Sequence, residues 1–202
     1  GQQFARVNNA GFIPAMADYF PEVENYVRLA PVRGGVMKYG ENYVIINQAF
    51  ECDSTFFDVF DAELLTGNPG TILNGPGSIV ISESFTRRVF GTSDPAGQIL
   101  TLPSGQYYGK DLDFTIKGVM KDFPRNSHFH PDFISTPVDK SVLEFWAWSY
   151  LVLSENANPG RIISGFPDFY SLKGSRKTEG TKVEADLQKI TEIHLHSDKL
   201  RE

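Results

Sequence analysis

A disulfide within the chain is excluded by its cysteine content, because Cys52 is the only cysteine in 202 residues. A lone thiol fits an oxidising or a reducing compartment. With no recognisable catalytic context around Cys52, packing as a small hydrophobe competes with a nucleophilic role. Long apolar runs are also missing: none approaches the roughly 18 residues that a bilayer span needs, and no basic-then-apolar signal segment opens the sequence. The chain as given therefore reads as soluble, which says nothing of a parent protein. Opening on GQQF without an initiating Met, it reads as processed or as a piece of something longer. Basic charge is short too: 19 Lys and Arg against 25 Asp and Glu leave a net charge of −6, which disfavours nucleic acid and anionic lipid as partners. Arg87-Arg88 and the stretch Lys173 to Lys177 are too brief to form a basic stripe and read as solvated surface.

The motifs of familiar chemistry are absent as well. There is no G-x-S-x-G, no H-E-x-x-H, no G-x-G-x-x-G and no P-loop, so the glycines at 34, 35, 67, 70, 75 and 77 read as turn residues. Ser82 and Ser84, flanking Glu83, sit in a helix-capping pattern rather than a hydrolase one.

What the chain does have is a 41% hydrophobic, 13% aromatic composition, enough apolar material to offset ordering entropy and fold. Residues 1–20 carry apolar positions at loose helical spacing and predict a short helix before a turn at Pro21. VENYVRL (23–29) and NYVIINQAF (42–50) predict strands, with KYGEN (38–42) as a hairpin turn. TFFDVF predicts a short helix in which Phe56, Phe57 and Phe60 share a face. The strongest local signature is SIVIS (78–82), a strand, followed by ESFTRRVF, a helix capped by Ser82 and stopped by Gly91. Further strands are expected at 99–102, 114–120, 132–135 and 146–153, a helix from Pro159 through Phe169, a helix at 184–189 and a closing strand ITEIHL. Phe57, Phe60, Leu64, Ile79, Val80, Phe85, Phe90, Val119 and Leu151 are the predicted core. Without regular β-α alternation the class is α+β, and with no repeat or low-complexity linker, any second subdomain is an insertion.

Two similar clusters are the most catalytic-looking features, His128-Phe129-His130-Pro131-Asp132 and His194-Leu195-His196-Ser197-Asp198. Histidines at i and i+2 on a strand face one side, and two such pairs could complete a zinc tetrahedron if the segments met. Asp111 and Asp113 flank a hairpin strand, where charge is ordinarily exposed. Phe145, Trp146, Trp148 and Tyr150 could line a pocket or pack in a core.

Several segments resemble the MacB-like periplasmic core domain of ABC-transporter permeases of the MacB/FtsX type. The first is DSTFFDVFDAELLTGNP (53–69), an aromatic helix and a G-[ND]-P break. SIVISESFTRRVFGTSDPAGQIL (78–100) follows with its strand, helix and D-P-x-G, then FTIKGVMKDFPRNSHFHPDFISTP (114–137) with GV-x-x-D-x-P and NSH, and finally LQKITEIHLHSD. Early YFPEVENYVRL adds to a match touching most of the chain. The resemblance implies a bilobed extracytoplasmic domain, its terminal lobe at 1–70 plus 140–202 and its inserted lobe at 71–139. It implies a place between the first transmembrane helix and those that follow, in an inner-membrane permease paired with a second copy and a cytoplasmic ATPase, and open to a periplasmic or outer-membrane partner protein. The implied role is to pass ATP-driven conformational change to substrate or partner in export, with no catalytic, cofactor-binding or metal residues. His128 and His194 fall where the family has histidine without metal, whereas His130 and His196 depart from the pattern. A stand-alone ligand-binding domain and, less well supported, a metal-dependent hydrolase are the alternatives. A domain inserted between two spans is expected to have both ends leaving one pole, with Phe12 near Leu195.

Overall fold

The computed structural model describes residues 2–7, 11–32, 35–104, 109–145, 147–173 and 185–190. The chain divides into two compact units, Gly1–Arg28 with Leu143–Glu202, and Leu29–Val142. It begins with β1 (Gln2–Val7), α1 (Phe12–Tyr19) and β2 (Val23–Pro31). Next come β3 (Val36–Tyr39), β4 (Asn42–Ile45), β5 (Ala49–Cys52), α2 (Phe56–Val59), β6 (Leu64–Thr66), β7 (Ser78–Ser82), α3 (Glu83–Phe90), β8 (Ile99–Leu102), β9 (Leu112–Met120) and β10 (Phe133–Ser135). It returns through α4 (Val142–Phe145), β11 (Ala147–Leu153), α5 (Pro159–Lys173) and β12 (Gln188–Lys189). Among the described residues no helix is long and apolar enough to cross a membrane.

The unit holding both ends orders its strands β12-β1-β11-β2. β1 pairs antiparallel with β11 from Gln2↔Val152 to Val7↔Ala147. Ile13 and Met16 of α1 and Ile162, Phe166 and Phe169 of α5 are buried in one core with Leu151 and Leu153 of β11. Phe169 is its hub, with ring contacts to Phe12, Tyr19, Phe20 and Phe166. Each such side chain contributes on the order of 1.5–3 kcal/mol by leaving water.

The other unit is a mixed sheet ordered β5-β10-β7-β9-β8-β3-β4, with Leu29–Pro31 of β2 paired to β5 and β6 paired to β9. β5 with β10 and β7 with β9 are parallel, and the remaining pairs are antiparallel, which makes the class α+β. Phe85 and Phe90 of α3 are buried in the same core as Ile79, Ile81, Leu100, Phe114 and Ile116. A two-residue loop joins β3 to β4, Tyr39↔Asn42. Gly40 takes its first central position at φ +56 while Glu41 keeps negative φ, the pattern of a type II′ turn, which wants glycine there.

Several expectations are corrected. Residues 1–20 are not one helix: Gln2–Val7 is a strand, and only Phe12–Tyr19 is helical. Pro14 is tolerated because it stands in the first turn, where backbone N–H groups lack helical partners anyway. The 42–50 run breaks into β4 and β5, since Asn47 turns its N–H to the Asp132 carboxylate (2.6 Å) and Ala49 onward pairs with β10 instead of β3. Gln188–Lys189 is strand rather than helix, its neighbour being β1. α5 runs past Phe169 to Lys173. Of the predicted core, Phe60, Ile79, Val80, Phe85, Phe90, Val119 and Leu151 are buried, whereas Phe57 and Leu64 are half-buried. In the four-residue α2 the inward positions are Phe56, Val59 and Phe60, so Phe57 lies off that face.

Candidate functional site

The first and last described strands meet in one ladder. β1 lies between β11 and β12, and its register with β12 is Gln3↔Lys189 and Phe4↔Gln188, antiparallel. Neighbouring strands lie about 5 Å apart. In an antiparallel pair the start of one strand adjoins the finish of the other, so the chain entering β1 and the chain leaving β12 share one end of the ladder. Leu195 and the rest of the ITEIHL segment after Ile190 lie outside the described residues.

The first histidine cluster does not form the strand face expected of it, because residues 128–132 precede β10 as irregular chain. The ring of His128 stands edge-on to Phe129, centroids 4.5 Å apart. His130 donates its backbone N–H to Gln48 Oε1 (2.6 Å), and its Nε2 lies 3.0 Å from the Pro124 carbonyl oxygen. A carbonyl oxygen can only accept, so Nε2 is the donor in this contact. Asp132 is buried, accepts from Asn47 N–H (2.6 Å) and forms an ion pair with Arg88 Nη2 (3.0 Å). Arg88 also donates to the Ile45 carbonyl (3.1 Å) and lies over the Phe85 ring. The cluster thus binds α3, the 45–48 connector and the approach to β10 together. Among the described residues no group of three or more His, Cys, Asp or Glu is placed to hold a metal ion. His194, His196 and Asp198 lie outside those residues.

The other motif residues close local contacts. Ser82 Oγ accepts from Phe85 N–H (3.2 Å), capping α3 as expected, and Gly91 ends the helix. Asp122, the aspartate of GVMKDFP, accepts from Ser84 N–H (2.9 Å) and so caps the same helix from beyond β9. This role depends on the parallel β7–β9 pairing, which no sequence signal announced. Asn68 and Asp94 accept from Gly70 N–H (3.0 Å) and Ala96 N–H (2.9 Å), each closing a turn. Asp111 accepts from Ser104 N–H and Asp113 from the Thr101 hydroxyl, both at 2.6 Å, so this carboxylate pair fastens the β8–β9 hairpin.

Cys52 is fully buried, and burial first, then the neighbouring Asp53 and Glu51 charges, pushes its thiol well above the ordinary value. It is packing rather than nucleophile-like. Tyr150 is buried and its phenol is likewise raised by desolvation, while Trp148 is half-buried. The Phe145 side chain and Trp146 lie outside the described residues.

The sequence matches the family model described as MacB-like periplasmic core domain over residues 3–182. No curated protein matches it. Among solved structures, a domain assigned to a permease protein of Porphyromonas gingivalis superposes with TM-score 0.70 at 21% identity, covering 93% of this chain and 84% of that one. The periplasmic region of MacB from Actinobacillus actinomycetemcomitans gives 0.65 at 13% identity, covering 98% and 92%. The extracellular domain of the noncanonic ABC-type transporter YknZ from Gram-positive bacteria gives 0.63 at 13%, covering 87% and 96%.

Proposed function

This chain belongs to the family of MacB-like periplasmic core domains, extracytoplasmic parts of ABC-transporter permeases, and from that premise we propose that it carries ATP-driven movement of membrane helices outward to a transported substrate or partner protein. The observation that carries the reading is the β1–β12 register, which brings the incoming and outgoing chain to one end of one ladder. A domain held between two membrane spans needs that arrangement. In this reading the unit containing both ends is the lobe next to the bilayer, and Leu29–Val142, which includes 71–139, is the inserted lobe. The domain itself does no chemistry: the contacts of Asp122, Asp132, Ser82 and His130 are those of a scaffold. The ATPase is a cytoplasmic partner, a second permease copy completes the dimer, and a further extracytoplasmic protein receives the movement.

The test is made on the whole reading frame in its native cells. A membrane span should be encoded before Gly1 and more after Glu202. Tyr43, exposed on β4, should when replaced by cysteine react with a membrane-impermeant maleimide in intact cells, while the buried native Cys52 stays silent. A frame without flanking spans, or labelling only after lysis, overturns the reading.

A further inference from the structure

We propose that Asn74 is a spontaneous modification site of the folded protein, passing through a succinimide to aspartate and isoaspartate, with the Ser78 hydroxyl promoting the step. The chain has ten asparagines, and Asn74 is the one followed by glycine. Asn68 and Asn158 precede proline, whose nitrogen has no proton to lose and cannot attack. Asn74 and Gly75 are both exposed, and nothing occupies the space within 4 Å of the position a Gly75 side chain would take. The side-chain amide of Asn74 reaches only the Gly70 carbonyl, at 3.5 Å, so little holds the leaving nitrogen.

The Ser78 hydroxyl donates to the Asn74 main-chain carbonyl oxygen (3.1 Å). That oxygen and the Gly75 nitrogen belong to one peptide group. A donor on the oxygen stabilises the charge delocalised onto it when the nitrogen loses its proton. The deprotonated nitrogen attacks Asn74 Cγ, forming the N–Cγ bond of a five-membered ring. The Cγ–Nδ2 bond breaks, and the nitrogen takes protons from water and leaves as ammonia. Water then opens the ring at either carbonyl, giving aspartate or isoaspartate. In the isoaspartyl product the main chain runs through Cβ and Cγ of residue 74, which lengthens it by a methylene, and the former main-chain carbonyl that accepted from Ser78 becomes a branching carboxylate, while the Gly75 carbonyl is the one held by the Thr136 hydroxyl. The chain entering β7 must therefore rearrange.

The experiment incubates the folded 202-residue chain at mildly alkaline pH. Isoaspartate is followed with an isoaspartyl methyltransferase and labelled methyl donor, and peptide mass spectrometry locates the site. Methyl acceptance should build up at residue 74 and vanish in Asn74→Gln. Ser78→Ala should slow it several-fold in the folded chain but not in denaturant, where the hydroxyl no longer faces the carbonyl, and Ser78→Thr should restore the rate. Conversion confined to the denatured chain, or faster conversion at Asn126-Ser127 than at Asn74, overturns the assignment. An unchanged rate in folded Ser78→Ala overturns the part given to the hydroxyl.

Discussion

Gly118 is the point where the inserted unit leaves no room for a side chain, and Gly118→Ala puts this to the test. A Cβ there would fall far inside contact distance of the Thr66 carbonyl oxygen, 3.2 Å from the Thr66 carbonyl carbon and 2.5 Å from Ile72 Cδ1. The Ile72 methyl can swing away, but the Thr66 backbone cannot. β6 is held by Val119 N–H on Thr66 Oγ1 (3.0 Å) and Lys121 N–H on the Glu63 carbonyl (2.8 Å). β9 cannot retreat either, because Val80 of β7 is paired with Gly118 itself. Overpacking of this kind costs about 1–3 kcal/mol, and loosening the two hydrogen bonds of β6 adds about 1 kcal/mol each. Alanine's lower chain entropy returns about 0.4–1 kcal/mol. The net expectation is a loss of about 2–5 kcal/mol, or a Tm lower by about 4–20 °C at this chain length. Urea denaturation followed by far-UV circular dichroism gives the loss, and native-state hydrogen exchange at the Val119 and Lys121 amides places it at β6. Gly35→Ala is the control, with open space around it and no positive φ, and should be neutral or slightly stabilising. Adding Ile72→Val to Gly118→Ala should recover only the side-chain part of the clash. A Gly118→Ala midpoint equal to that of Gly35→Ala would refute the close-approach argument.

Alkaline pH should destabilise the protein through Cys52 and Tyr150, whose burial raises both groups in the folded state. The unfolded chain releases these protons first, so stability is complete below about pH 8.5 and falls above it by about 1.4 kcal/mol per pH unit for the thiol, with the phenol joining near pH 10. Urea midpoints across pH 8 to pH 10.5 measure this, and Cys52→Ala and Tyr150→Phe should each flatten the fall. Asp132→Ala should cost about 1–3 kcal/mol by removing the acceptor of the Asn47 amide, whereas Asp132→Asn should cost less because its amide oxygen still accepts. Equal losses in the two variants would mean that the Arg88 charge, 42% exposed, dominates the site.

Legibility in the sequence followed the range of each interaction. SIVISESFTRRVFG was readable because its strand, cap and glycine stop are all local. β1 was misread because QQFARV has no strong strand pattern and gains its state from β11 and β12, which lie 140 or more residues away in sequence. β12 was misread for the same reason. The cap by Asp122, the Arg88–Asp132 ion pair and the close approach at Gly118 each join segments 38 to 52 residues apart. Spacing alone could not reveal them, although the resemblance had marked GVMKDFP and HFHPDF as segments of interest. His128 and His130 misled because the i, i+2 rule assumes a strand, and the proline at 131 stands where the chain is still irregular.

The role proposed above requires helix ends that do not yield, and α3 offers the sharpest test of that rigidity. Two of the backbone N–H groups that every helix start leaves unpaired are satisfied independently, Ser84 by Asp122 and Phe85 by Ser82. Ser82 is also the last residue of β7, and Phe85 is wholly buried. The first turn therefore cannot fray without pulling a phenylalanine out of the core, which costs more than either cap provides. If so, losing one cap leaves the geometry of the other intact. Ser82→Ala should cost about 1 kcal/mol and Asp122→Ala about the same, with little from the exposed Arg87–Asp122 pair. The double variant should lose the sum to within about 0.5 kcal/mol. A double-mutant cycle by urea denaturation measures the coupling, and a double loss smaller than the sum by about 1 kcal/mol or more would show that the first turn frays once a single cap is gone. The start of α3 would then be a compliant joint, and movement entering the inserted unit would be absorbed there instead of passing through it.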